Sequence, residues 1–149
     1  MTLLGKLSIL AGLLAFASPP GSTATIGDRG LGADAAKATL AVVVEIVAAT
    51  KVEREIHTDL VVVARPVRTI VGSPLPGTTW SCTFSQGKPH RRGDRFVEPR
   101  SMGSGIEFGL HAGDQVILLV VAGAADAADC SILRAEPLSR ESQVRRPLR

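Results

Sequence analysis

Lys88, Arg91, Arg92 and Arg95 crowd into one short polar stretch, and no other residues of this chain are so well suited by type and spacing to a chemical task. Guanidinium groups this close together can hold a phosphate, sulfate or carboxylate through paired N–H donors, so the stretch is a candidate anion-binding loop. Its other ionisable members are His90, Asp94, Glu98 and Arg100, and its one aromatic is Phe96. A loop whose charges only keep the protein soluble is the plainer alternative. A second basic run, Arg140, Arg145, Arg146 and Arg149, has no amphipathic period of the kind that docks a helix on a membrane.

Other chemistries find less support. His57 and Asp59 would share one face of a strand, but His90 and His111 come from unrelated segments, and a metal centre needs three or four convergent ligands. Neither cysteine belongs to a Cys-x-x-Cys pair, so thiolate zinc binding and redox catalysis are not indicated. Ser104 lies between Gly103 and Gly105 but lacks the Gly-x-Ser-x-Gly elbow and its following helix. Glu45, Glu53, Glu55 and Glu107 include no pair whose spacing demands a shared acid–base role. Gly30-Leu31-Gly32-Ala33-Asp34-Ala35 matches a loose dinucleotide fingerprint, yet no strand feeds it, and that motif works only between a strand and a helix. We therefore expect no catalytic residues, no cofactor and no metal.

The compartment decides which partners matter. Leu7 to Ala17 is an apolar or small-residue run after Lys6, closed by Ala15-Phe16-Ala17, which reads as a signal peptide over 1–17 with Ala24 as a second possible cut. The run is shorter than the roughly 20 residues needed to span a bilayer; an amino-terminal anchor is the alternative, and no transmembrane segment is expected after cleavage. Losing Lys6 leaves sixteen basic against fourteen acidic residues, too small an excess to name a partner by itself. Export, to the periplasm or outside, favours a disulfide between Cys82 and Cys130, with two buried thiols as the alternative. It also disfavours nucleic acid, for which Phe96 alone is a poor stacking platform. An extracytoplasmic protein, or an anionic polysaccharide or lipid of the envelope, is the partner such a chain would meet.

The elements that must position these groups read as strands. In Thr78 to Ser85 the residues Trp80, Cys82 and Phe84 alternate with small hydroxyl residues, the period of a strand with one buried face. Thr39 to Ala49 is rich in β-branched residues, Lys51 to His57 alternates charged with apolar residues as an exposed hairpin or strand extension, and Leu60 to Val71 is a longer strand with Pro66 at an edge, bulge or bend. Gly72 to Gly77 is a turn. Met102 to Leu110 suggests a short strand, Gln115 to Val121 a strand buried on both faces, and Cys130 to Ala135 the last strand. The expected organisation is a flexible lead-in over 18–37, a β-barrel domain over 38–137 and a disordered basic tail over 138–149. The expected fold is all-β, a small five- or six-stranded antiparallel barrel, with a sandwich as the alternative, because closure removes exposed sheet edges.

Val67-Arg68-Thr69-Ile70-Val71-Gly72 before a turn and strand, His111-Ala112-Gly113-Asp114-Gln115-Val116-Ile117-Leu118-Leu119, and Cys130-Ser131-Ile132-Leu133-Arg134 together resemble the OB-like barrels of netrin-like and metalloproteinase-inhibitor domains, and small bacterial exported proteins of that plan. The likeness covers Leu40 to Pro137 and implies an OB-like fold. Those inhibitors reach their target's metal with a cysteine at the mature amino terminus. No cysteine precedes Cys82, so inhibition is not implied. The sequence thus points to a non-catalytic domain that binds another macromolecule, or an anionic envelope ligand through the arginine loop, with an enzyme whose site assembles only in three dimensions as the remaining class.

Overall fold

In the computed structural model, which describes residues 26–99, 103–123 and 128–145, helix α1 (Ile26–Lys37) precedes strands β1 (Leu40–Glu53), β2 (His57–Gly72), β3 (Trp80–Gly87), β4 (His90–Arg92), β5 (Arg95–Val97), β6 (Gln115–Ala122) and β7 (Asp129–Glu136), and helix α2 (Glu141–Arg145) follows them. The expected signal peptide over 1–17 lies outside the described residues. Five strands close into a barrel in the order β1-β2-β3-β7-β6, while β4 and β5 form a separate two-stranded ribbon. The small all-β barrel is therefore what forms. One pairing, β3 with β7, is parallel rather than antiparallel. An odd number of strands cannot alternate direction all the way round a ring, so one parallel seam is required.

Alternation sorts the side chains into two cores. Leu40, Val42, Val44 and Ile46 of β1 fill the barrel with Trp80, Cys82 and Phe84 of β3 and Val116, Leu118 and Val120 of β6. The intervening Ala41, Val43, Ile117 and Leu119 face outward and form a second cluster with Leu31 of α1 and Val144 of α2. This explains why the central run of β6 is buried on both faces.

The second core corrects both ends of the expected organisation. Ile26–Lys37 is not part of a flexible lead-in: it is helical, with Leu31 only 1 % exposed, while 18–25 lie outside the described residues. The tail is likewise ordered from Leu138 through a 3-10 turn into α2, because Val144 has the outer barrel face to bury against. Residues 146–149 lie outside the described residues. The folded unit thus exceeds 38–137 at both ends.

Two local features also decide the shape. At Pro66 the β1–β2 register jumps, Val43 facing Arg68 and Val44 facing Pro66, so Val67 is an extra residue in a bulge. In place of the short strand expected over Met102 to Leu110, a 3-10 turn occupies Glu107–Gly109, and Ser101 and Met102 lie outside the described residues. The cause is the buried Glu107 carboxylate, which accepts backbone N–H groups from Ser104, Gly105 and Ala135 and so curls the segment against β7 rather than extending it. Cys82 and Cys130 are joined in a disulfide across the parallel seam.

Candidate anion-binding site

The basic stretch folds as the β4–β5 ribbon. A two-residue turn, Gly93-Asp94, joins its strands; Gly93 has φ +68° and Asp94 a negative φ, the arrangement of a hairpin turn that needs glycine first. Pairing sets Arg92 directly opposite Arg95 and Arg91 opposite Phe96. Cross-strand partners share a face, so Arg92 and Arg95 project together and Arg91 lies on the other face beside Phe96. All four side chains are exposed, Phe96 to 63 %.

Six other basic residues are each within ion-pair reach of a carboxylate: Arg54 with Asp59, Arg65 with Glu45, Arg68 and Arg145 with Glu141, Lys88 with Glu53, and Arg134 with Asp34 and Glu136. Arg91, Arg92 and Arg95 meet no such partner among the described residues. Like charges held directly opposite destabilise a ribbon unless something neutralises them. Lys88, expected to join them, is instead committed at the ribbon's root. Its ammonium lies 2.7 Å from Glu53 and donates to the Arg54 carbonyl at 2.6 Å.

That root adjoins the open end of the barrel. Lys88 donates its backbone N–H to Ile56 in the β1–β2 turn, and Glu53, its ion-pair partner, lines a depression of about 240 Å³ with Lys51, Thr58, Gln86 and Phe108. The Lys51 ammonium stands 5.5 Å from the centre of the Phe108 ring, which in turn meets Phe84 edge-on at 5.5 Å. Lys88 above all, then Thr58, holds the Glu53 carboxyl below the usual carboxylate range. Glu53 is therefore charged at neutral pH and already neutralised, whereas Lys51 has no carboxylate within ion-pair distance among the described residues.

The remaining chemical candidates resolve into structure. Asp59 accepts from Ser85 at 2.6 Å and from Arg54 at 3.0 Å, and these two bonds, Ser85 first, lower its pKa. His57 stands 3.5 Å from the same carboxylate. The serine donates to the acid and not to the imidazole, so the three do not form a nucleophile–base relay. His90 bonds the Lys88 carbonyl through Nδ1, and His111 is exposed beside Asp114. Among the described residues no three metal-ligating side chains converge. The Ser104 hydroxyl lies against Glu107 and the Ala135 carbonyl, pinning its loop.

The fingerprint-like Gly30 to Ala35 lies wholly inside α1. There Gly30 leaves room for Arg134, whose guanidinium a Cβ at that position would strike, and Asp34 accepts from Arg134 at 2.8 Å. The mouth, with Lys51 and Phe108, was not legible in sequence because its lining comes from three strands and a loop. Alternation of Lys51 and Glu53 beyond the buried run of β1 was the one signal. The chain matches no protein-family model, and no curated protein is significantly similar to it.

Proposed function

We propose that this protein is an exported, non-catalytic binding domain that holds an anionic polymer outside the cytoplasm through Arg91, Arg92 and Arg95. The observation that carries the reading is the contrast in pairing: six basic side chains meet carboxylates, while these three stand exposed on a ribbon with none among the described residues. OB-like barrels bind through loops and one sheet face, and this ribbon is rooted beside the β1–β2 turn. The disulfide suits an oxidising compartment, as does the apolar run ending at Ala17.

The test is binding of the oxidised protein to polyphosphate and to dextran sulfate at low and at high salt. Wild type should bind both at low salt and release them as salt rises, since exposed charges are screened beyond about 10 Å at 0.1 M. Replacing the three arginines with serine should weaken binding by about tenfold or more. Unchanged affinity in that variant would sink the reading.

A protein partner is the second reading. It is favoured by the outer face of β1, β2 and β3, where Ala48, Val63 and Ser81 form one row and Thr50, Val61 and Thr83 the next, all small, neutral and partly or fully exposed. Such a contact would survive high salt, and the arginine variant would retain it.

A further inference from the structure

We infer that the polymer is a glycan carrying carboxylated sugars, and that one sugar unit seats in the depression at the barrel mouth with its carboxylate on Lys51. The inference rests on the ribbon reading above and adds a second, chemically different subsite to it.

The lining selects the ligand. One aromatic ring, Phe108, stands among four polar side chains, Lys51, Glu53, Thr58 and Gln86. An acyl chain would have to lie against the charged heads of Lys51 and Glu53 there. An apolar slot lies near the other end of β1, under the two helices, lined by Ala38, Leu40, Val71, Leu119 and Val144, and holds only about 100 Å³. A sugar ring, in contrast, presents a patch of C–H groups to an aromatic and hydroxyl groups to its surroundings. Glu53 accepts both Lys88 and Thr58 on Oε2, which leaves Oε1 as the acceptor for a sugar hydroxyl.

Charge selects further. Lys88 holds Glu53 at 2.7 Å, and Lys51, held over Phe108, acts on the same carboxylate only from beyond ion-pair distance, so two ammonium groups face one carboxylate and the mouth carries a net positive charge. A carboxylate entering the mouth would pair with that ammonium while the ring of the same sugar lies against Phe108.

Continuity joins the two subsites. Lys88 ties Glu53 to the ribbon's root, and the Lys88 carbonyl meets His90 Nδ1 at 2.8 Å where β4 begins. Arg92 and Arg95 share a face with His90 and Val97, so a chain following that face from the turn reaches the ribbon's root beside the mouth.

The experiment compares polygalacturonate, a polymer of carboxylated sugars, with polyphosphate, using the oxidised full chain and two single variants, Lys51→Ala and Lys51→Gln. Lys51 is exposed, so neither change removes a core side chain. The expected result is about tenfold weaker binding of polygalacturonate by both variants, with polyphosphate affinity within about twofold of wild type. A short oligogalacturonide should also shift the amide signals of Thr58, Gln86 and Phe108. Equal losses for both polymers, no loss for polygalacturonate, or shifts confined to His90–Val97 would overturn the mouth while leaving the ribbon standing. If wild type binds neither polymer at low salt, the ribbon reading falls and the mouth with it.

Discussion

Arg134 is the residue on which the outside of the barrel turns. Its side chain is buried and donates to Asp34 of α1 and to Glu136 of its own strand, both at 2.8 Å. One cation thus neutralises two buried carboxylates and docks a helix. Breaking such a network from the cationic side leaves uncompensated charge, so Arg134→Leu should lose about 3–5 kcal/mol at neutral pH. Burial already raises the pKa of Glu136, against the opposing pull of Arg134. A carboxyl whose folded-state pKa lies above its unfolded value binds its proton more readily in the fold, so its cost is felt at high pH and relieved at low pH. Without Arg134 that rise must be larger. The deficit of the variant, read from urea unfolding at about pH 7 and about pH 5, should therefore narrow on acidification; a constant deficit would contradict this account. Trp80 makes a second test. Its indole N–H is buried and meets no acceptor among the described residues, so Trp80→Phe removes an unmet donor along with some volume. It should cost much less than Trp80→Ala, for which about 3–5 kcal/mol is expected.

Among the elements, the five barrel strands were legible and the helices were not, for a physical reason. Trp80, Cys82 and Phe84 announce a half-buried strand by period alone, and the β6 run announces burial on both faces. In α1, by comparison, Gly30, Gly32 and several alanines give a weak apolar stripe, and the helix is held by Leu31 and by an ion pair to a residue 100 positions away. No local pattern carries that. The ribbon escaped notice because its strands are only three residues long. Helix α2 owes its place to Val144 and to Glu141, which accepts from Arg68 of β2 and from Arg145. Those two bonds, Arg68 first, hold the Glu141 carboxyl at about 2. A depressed carboxyl stabilises the fold above its unfolded pKa and stops doing so as pH falls through its folded one, so this contribution fades between about pH 4.5 and about pH 2. The pair is solvent-accessible and its effect is local. Amide exchange at Val144 and Arg145 should rise over that interval before exchange in β1 does, and Glu141→Gln should reproduce the rise at neutral pH. Simultaneous opening of β1 and α2 would show that Glu141 has no separate role.

At the scale of the whole molecule, stability depends on how the barrel closes. Long antiparallel ladders join β1 to β2 and β2 to β3, but the parallel seam between β3 and β7 pairs only Ser81 with Asp129, Cys82 with Cys130 and Thr83 with Ser131. The disulfide sits at the middle pair of that short seam. It closes a loop with a sequence separation of 48, for which chain entropy gives about 4 kcal/mol at most. Because the bond staples the shortest ladder of the barrel, its loss should act there first. The paired variant Cys82→Ser with Cys130→Ser is expected to lose up to about 4 kcal/mol and to expose the amides of Ser81 to Thr83 and Asp129 to Ser131 while the β1–β2 ladder stays protected. The ribbon and the mouth are rooted on β1, β2 and the end of β3, away from the seam, so polyphosphate binding should persist wherever the variant remains folded. Uniform loss of exchange protection around the ring would mean that the seam is no weaker than its neighbours. Binding lost together with seam protection would mean that the ribbon depends on barrel closure, and would place the two ends of the molecule in one cooperative unit.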